Sequence, residues 1–165
     1  MKKILSMLLV LCSFTVVSNA GAAEIEIEWF EPEHYRDVKP ASGGKSSFQK
    51  RVFSELTEHL TELAAKLPET QTLKIKVTDV DLAGDIRYMV GPNNQTLRVV
   101  DDLYFPRMEF SYQVLDSNQK VLKSGDENIK DMSFNSGIQR SKSRDSYHYE
   151  KQLLSDWFND TFEQK

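Results

Sequence analysis

The feature that most constrains the fold is the segment at residues 73–85, which reads L-K-I-K-V-T-D-V-D-L-A-G-D. Up to Val77, apolar residues alternate with polar ones, the period-two pattern of a strand with one face on a core. The apolar residues then change parity, so an uninterrupted strand would bury Asp79 and Asp81. A β-bulge near Thr78 or Asp79 restores the apolar face. The segment therefore predicts a bulged strand that ends in an acidic turn.

A strand and a long helix precede this segment. Residues 25–29 alternate isoleucine and tryptophan with glutamate, which indicates a strand with one charged face. Ser46 and Gln49 fit a capping box, and the apolar residues after them recur at helical spacing, which predicts a helix over residues 47–66. Because a helix connects the two strands, we expect them to be parallel neighbours in one sheet.

The second half of the chain predicts a hairpin and a final helix. Residues 107–114 alternate more regularly than any other segment, and residues 116–119 have the composition of a turn. The chain then returns over residues 121–129, where Gly125 is predicted to form a bulge. The last helix is predicted over residues 145–162.

These elements predict an α+β fold in two layers. The expected sheet is mixed and mostly antiparallel, with four to five strands, and the two long helices pack on one of its faces. A short strand at residues 97–100, after an exposed loop over residues 85–96, accounts for the uncertainty in strand number. The alternating strands support two layers, because a sheet covered on both faces would show continuous apolar runs.

Glu150 lies within the apolar arc of the last helix when its residues are placed at helical spacing. A carboxylate on a buried face needs a cation or a hydrogen-bond donor, and the nearby helix start favours a negative charge. Two interpretations are open at this point. Glu150 lies either at the solvated rim of the helix or in the interior with a partner.

Residues 1–22 have the organisation of a secretory signal peptide. Two lysines precede an apolar run over residues 4–17, which is too short for a transmembrane helix, and small residues follow it. We favour cleavage after Ala22 or Ala23 over cleavage after Ala20. The leader predicts a soluble product in the periplasm, or secreted from the cell.

The only cysteine, Cys12, lies inside this leader, and no small residues precede it as a lipid-attachment site would require. The expected mature chain, residues 23–165, is a single α+β domain with no disulfide, so its core alone must stabilise it.

The charge of the chain limits its partners. Its formal net charge is −4, and removal of the leader's two lysines makes it more acidic. Nucleic-acid binding normally requires a concentrated basic surface, so this composition argues against it. No later apolar run has the length of a membrane span. The expected partner is a protein or a small ligand of the cell envelope.

Asp79, Asp81 and Asp85 are the densest carboxylate group on an otherwise apolar element. Hard cations such as calcium take oxygen ligands from turns of this kind, but the spacing is not that of a known calcium loop. The other interpretation is a structural turn in which the carboxylates accept backbone N–H groups. The three histidines show no metal-binding spacing, and no nucleophile motif is present, so no cofactor is expected and no catalytic residue is assigned.

Several short motifs together resemble the domain-of-unknown-function family 3016, small exported proteins of Gram-negative bacteria. The resemblance spans nearly the whole mature chain, and the V-T-D-V-D-L-A-G-D run is its most specific part. The family has no assigned activity, so the resemblance implies export and a single domain and supplies no catalytic residues. The segments that carry it are Trp29-x-x-Pro32, Phe48-x-x-Arg51-Val52-Phe53, Leu67-Pro68, residues 77–85, Pro106-Arg107-Met108-Glu109-Phe110 and Tyr149-Glu150-Lys151.

The leading hypothesis is a non-enzymatic envelope protein that binds a partner or small ligand through the acidic turn. Aromatic residues in or beside loops would supply contact area, although packing explains them equally well; they are Tyr35, Tyr88, Tyr104, Phe105, Tyr147 and Tyr149. The alternative is a metal-dependent protein or enzyme centred on Asp79, Asp81 and Asp85, with Glu150 as a further ligand. A third interpretation gives the aspartates a purely structural role.

Overall fold

The computed structural model describes residues 22–91, 93–136 and 145–163, so the predicted leader lies outside the described residues apart from Ala22. The fold class is confirmed as α+β, with six strands and two α-helices in the described part of the chain. In order, the elements are β1 (Glu24–Trp29), a 3-10 turn (Pro32–His34), α1 (Lys45–Ala64), β2 (Thr72–Asp81), β3 (Asp85–Arg87), β4 (Leu97–Val99), β5 (Arg107–Leu115), β6 (Val121–Lys130) and α2 (His148–Phe162).

Four of the strands form one mixed sheet in the order β1-β2-β5-β6. β1 and β2 are parallel, from Glu24 opposite Thr72 to Trp29 opposite Val77, as the intervening helix predicted. The other two pairings are antiparallel. The main sheet therefore has the predicted mixture of directions and the lower of the two predicted strand numbers.

The predicted strand at residues 97–100 forms, but it does not join the main sheet. β4 pairs with β3 in a separate two-stranded sheet, so residues 85–96 are not simply an exposed loop as predicted. Local pairing is favoured because only nine residues separate β3 from β4, so the connecting loop costs little entropy to close. The turn residues Tyr88, Met89 and Val90 are exposed, in agreement with the prediction for that part.

The predicted bulge in β2 is confirmed. Val77 lies opposite Phe110 and Asp79 lies opposite Glu109, so Thr78 is the extra residue. As a result Val80 is completely buried, while the preceding residue, Asp79, faces the other side of the sheet.

The start of α1 differs from the prediction. The N-cap is Gly44, which has no side chain to cap the helix, and the helix begins at Lys45. The predicted capping box is therefore wrong: the Ser47 hydroxyl donates to the Gly44 carbonyl, and the Gln49 amide donates to the Pro32 carbonyl. Glycine also adopts N-cap geometry readily, so the helix can start without a side-chain acceptor.

Side chains of both helices share one buried cluster with the sheet. Phe53 of α1 stacks on Trp29 of β1 with a centroid distance of 4.4 Å. Trp157 of α2 meets Phe110 and Tyr112 of β5 edge-on, at 4.8 and 5.3 Å. These aromatic contacts join the helices to β1 and β5, the strands that flank β2.

The predicted bulge at Gly125 is wrong. Gly125 pairs regularly with Tyr112, and the register of the hairpin instead shifts near its turn, between Val114 and Leu115. A Cβ at Gly125 would lie 2.8 Å from Tyr112 Cε1, so glycine is required there by the neighbouring ring.

Among the helices that the structure describes, none combines the length and the apolar character that a membrane span requires.

Candidate functional site

Two of the predicted site residues contact one arginine. The Asp79 carboxylate accepts a hydrogen bond of 2.7 Å from the Arg36 backbone N–H, and its other oxygen lies 3.7 Å from Arg36 Nε. Asp81 Oδ2 lies 3.8 Å from Arg36 Nη1. The same segment is fixed by the Tyr35 hydroxyl, which donates to the Val77 carbonyl at 2.9 Å. Asp79 and Asp81 thus hold the chain around Arg36 against the end of β2.

Burial and neighbouring arginines shift the pKa of the Asp81 carboxyl in opposite directions. Burial raises the pKa of the Asp81 carboxyl above its usual value, and the neighbouring Asp37 and Asp79 carboxylates add to that rise. The Arg36 guanidinium, with a smaller effect from Arg107, lowers it. The arginine therefore stabilises the charge of a half-buried aspartate, as in a structural ion pair.

Asp85 is separated from the other two aspartates by a glycine turn. It begins β3 and lies opposite Val99. Gly84 before it has φ of 81°, and a Cβ there would lie 2.6 Å from the Val99 carbonyl oxygen. Arg98 fixes this turn, because its guanidinium donates to the Gly84 carbonyl and to the Asp37 carboxylate, both at 2.8 Å.

Glu150 is buried, with only 2% of its surface exposed, so the interior interpretation is the one found. Its Oε1 accepts a hydrogen bond of 2.7 Å from the Ala83 backbone N–H, which joins α2 to the turn after β2. Burial raises the pKa of the Glu150 carboxyl, while the hydrogen bonds from Ala83 and from its own N–H, and the charge of Arg98, oppose that rise. The nearby Asp145 carboxylate adds a smaller upward effect.

A cleft of about 400 Å³ lies beside Glu150, between the start of α1, the start of α2 and the turn after β2. Its walls are aromatic and aliphatic, with two arginines and the buried glutamate among them. A second depression of about 310 Å³ has the bulge residue Thr78 in its lining, and it contains no buried charged group. The lining residues of the cleft are Pro40, Ala41, Ser42, Phe48, Arg51, Leu82, Ala83, Arg98, Val100, Ser146, Tyr147, Tyr149 and Glu150.

Arg51 is the exposed cation of this cleft. Its Nε donates to the Tyr147 hydroxyl at 3.4 Å, and its guanidinium carbon lies 5.5 Å from the centre of the Phe48 ring. Within the described ranges, its two terminal amino groups have no hydrogen-bond partner among protein atoms. A guanidinium held by an aromatic ring with free N–H groups is suited to a carboxylate, sulfonate or phosphate.

The four predicted site residues do not lie together in one site. Glu150 lines the cleft, whereas Asp79, Asp81 and Asp85 do not. In the part of the chain that the structure describes, no three acidic, histidine or cysteine side chains are placed to share a metal ion. The geometry therefore gives the metal-centred alternative no support.

Arg51 and Arg98 were missed by sequence reasoning. Phe48 and Arg51 are three residues apart on α1 and therefore share a face, which is a usable signal for a pair at the helix border. Arg98 reaches the cleft from a strand whose pairing was not predicted. Of the aromatic residues proposed as contact area, Tyr147 and Tyr149 do line the cleft, while Tyr35 belongs to the core.

A family model described as Protein of unknown function (DUF3016) matches residues 23–160 of the chain. No curated protein and no solved structure gives a significant match. The family match covers well over half of the chain and includes every residue of the cleft.

Proposed function

The chain belongs to the DUF3016 family of proteins of unknown function, and from that premise we propose that it is an exported, non-enzymatic binding protein of the cell envelope. Its ligand is a small organic anion with an apolar body, and the binding site is the cleft beside Glu150. The leader at residues 1–22 supports export to the periplasm, because a positive start, a short apolar run and small residues follow one another there.

The observation that carries the proposal is the combination of volume, wall chemistry and free charge in the cleft. A volume of about 400 Å³ lies within the range typical of small-molecule sites, which are mainly apolar with a few oriented polar groups. Phe48, Tyr149 and Val100 supply the apolar walls. Arg51 supplies N–H groups without another protein partner in the described ranges, and these would pair with the anionic group of the ligand.

Glu150 supports the cleft in this proposal without acting as a catalytic base. Its Oε1 is already bonded to the Ala83 N–H, so the carboxylate fixes the floor of the cleft to α2. No histidine is among the lining residues that the structure describes, and the sequence supplies no activated nucleophile beside the carboxylate. Binding therefore fits the lining better than group transfer.

The aspartates act by positioning in this proposal. Asp79 and Asp81 hold the segment around Arg36. Asp37 holds Arg98, which lines the cleft and donates to the Gly84 carbonyl, next to Ala83 of the lining. The acidic run thus arranges the wall of a site whose direct ligand contacts come from other elements.

The binding test uses 1-anilinonaphthalene-8-sulfonate, a fluorescent probe with an aromatic body and one sulfonate. Arg51→Gln should weaken its binding by about tenfold or more, because a hydrogen-bonded charge pair contributes about 1.5–3 kcal/mol. Lys50→Gln, which removes the adjacent exposed cation of the same helix, should leave the dissociation constant unchanged. Ala41→Phe should abolish binding by filling the cleft.

Equal affinity of wild type, Arg51→Gln and Ala41→Phe would place the probe elsewhere and overturn the proposed site. Export is tested separately by cell fractionation and N-terminal sequencing. The proposal requires a periplasmic or secreted product that begins at Ala23 or Glu24. A product found in the cytoplasm with its first 22 residues intact would refute the export step alone.

A further inference from the structure

β6 forms an outer edge of the main sheet. Its ten residues, Val121–Lys130, pair with β5 on one side, and no described strand pairs with the other side. Seven of the ten residues are exposed, and two of these are large apolar side chains, Val121 at 47% and Leu122 at 51%. An edge of this length is a template for a further strand, since it presents a row of backbone donors and acceptors.

We propose that the strand added to this edge is β6 of a second copy of the same chain, antiparallel and centred on Gly125. Opposite residues of an antiparallel pair have numbers with a constant sum and face the same side of the sheet. In this register, Lys123 lies opposite Glu127 of the second copy, and Glu127 lies opposite its Lys123. The register shift at Leu122 turns Val121 to the other face of β6, so the alignment applies from Lys123 to Glu127, and each dimer has two ion pairs.

The charge order of β6 selects this register. A shift by two residues in one direction leaves Lys123 facing Gly125 and removes both ion pairs. A shift in the other direction places Lys123 opposite Ile129 and brings the two Asp126 carboxylates together. Like charges directly opposite one another destabilise a sheet, and opposite charges stabilise it.

Gly125 at the centre of the pairing fits the same arrangement. It has no side chain because the ring of Tyr112 in its own chain occupies that space. Because neither central glycine has a side chain, the two strands can pair beside the Tyr112 rings without a steric clash.

β1, the opposite edge strand of the sheet, shows a contrasting pattern. Glu24, Glu26 and Glu28 share one face of that strand, so any antiparallel pairing with a second copy that keeps the faces aligned sets glutamates opposite glutamates. The composition of β1 therefore opposes self-pairing, whereas that of β6 is self-complementary. The two edge strands of the sheet therefore differ in the arrangement of their charged side chains, which decides whether an edge can pair with a second copy.

Contacts within the chain already orient one member of the proposed ion pair. Lys123 Nζ donates to the Thr161 carbonyl near the end of α2 and lies 5.3 Å from the centre of the Phe162 ring. These contacts hold the ammonium on the helix-bearing side of the sheet, the side that Glu127 also faces. The pair therefore requires less ordering of the lysine side chain on association.

The test is sedimentation velocity of the purified protein over a wide concentration range. The wild type should dimerise, and Lys123→Glu and Glu127→Lys should each raise the dimer dissociation constant by about tenfold or more, because each creates two like-charge pairs. The double variant K123E/E127K should restore the dimer. Lys50→Glu, an equal change of charge on an exposed position of α1, should have no effect.

Circular dichroism and the melting temperature establish that each variant is folded before its mass is interpreted. A wild type that remains monomeric at every concentration would overturn the proposal. A dimer that is insensitive to both single substitutions would also overturn it, because the edge would not be the interface. Failure of the double variant to recover, while both single variants dissociate, would refute the register centred on Gly125.

Discussion

Replacement of Glu150 tests the central contact of the structure, the hydrogen bond between the Glu150 carboxylate and the Ala83 N–H. Glu150→Ala removes the acceptor and leaves a buried N–H unpaired, which costs about 1–3 kcal/mol. It also removes one buried methylene group, worth about 0.8 kcal/mol. We therefore expect Glu150→Ala to lower the free energy of unfolding by about 2–4 kcal/mol at neutral pH.

Glu150→Gln should behave differently, because its amide oxygen still accepts the Ala83 N–H and no charge is buried. We expect its free energy of unfolding to lie within about 1 kcal/mol of the wild-type value at neutral pH. The comparison between wild type and Glu150→Gln isolates the charge of one carboxylate, because all other titrating groups are common to both proteins.

The pH dependence of that comparison has a definite sign. Burial raises the pKa of Glu150 in the folded state above its ordinary value of 4.5, so the folded protein takes up the proton more readily than the unfolded chain. Wild type should therefore gain stability relative to Glu150→Gln as the pH falls through the raised pKa. The gain is complete below pH 4.5, where the unfolded chain is also protonated, and is lost as the pH rises again.

Urea denaturation, followed by tryptophan fluorescence at several pH values between neutral and 4.5, measures this difference directly. Trp157 is a buried residue of α2 and reports unfolding of that region. A wild-type advantage that is constant with pH, or that shrinks on acidification, would refute the assignment of Glu150 as a buried acid. A loss below about 1 kcal/mol in Glu150→Ala would refute the importance of its hydrogen bond.

Two further substitutions test backbone positions with positive φ, each by urea denaturation against the wild type. Gly84→Ala should destabilise the protein by at least about 2 kcal/mol, because φ is 81° and the new Cβ would lie 2.6 Å from the Val99 carbonyl oxygen. An unchanged urea midpoint would contradict this close approach. Gln119→Gly should stabilise the protein by about 0.5–1 kcal/mol, because Gln119 has φ of 61° in the hairpin turn. A lower urea midpoint would show that the Gln119 side chain contributes more to stability than its backbone strain costs.

The sequence was sufficient to predict the central strand and its neighbours, because their patterns are set by residues close together in the chain. The change of parity after Val77 required an extra residue, and the structure has it at Thr78. The parallel pairing of β1 and β2 followed from the helix between them. These features depend on the periodicity of single segments, which a sequence displays directly.

Features that depend on contacts between distant segments were not predictable in the same way. Gly125 resembles a bulge residue in the sequence, but it is needed because the Tyr112 ring of the paired strand occupies its side-chain space. The β3–β4 pair was missed because its strands have three residues each and too little alternation to reveal a pairing partner. The cleft has contributions from both helices and from Arg98 on β4, and no local pattern unites them.

The acidic run shows why a cluster of carboxylates in a sequence is a weak indicator of a binding site. Asp79 accepts the Arg36 N–H, and Asp81 lies beside the Arg36 guanidinium, so both are used in holding neighbouring backbone. The glycine turn that follows sends Asp85 into a different sheet. The group that we propose for ligand binding is instead Arg51, a cation on α1, because the fold leaves its terminal N–H groups without a partner among the described residues. A binding site is better identified by the polar groups that the folded structure leaves unsatisfied than by the density of charge along the chain.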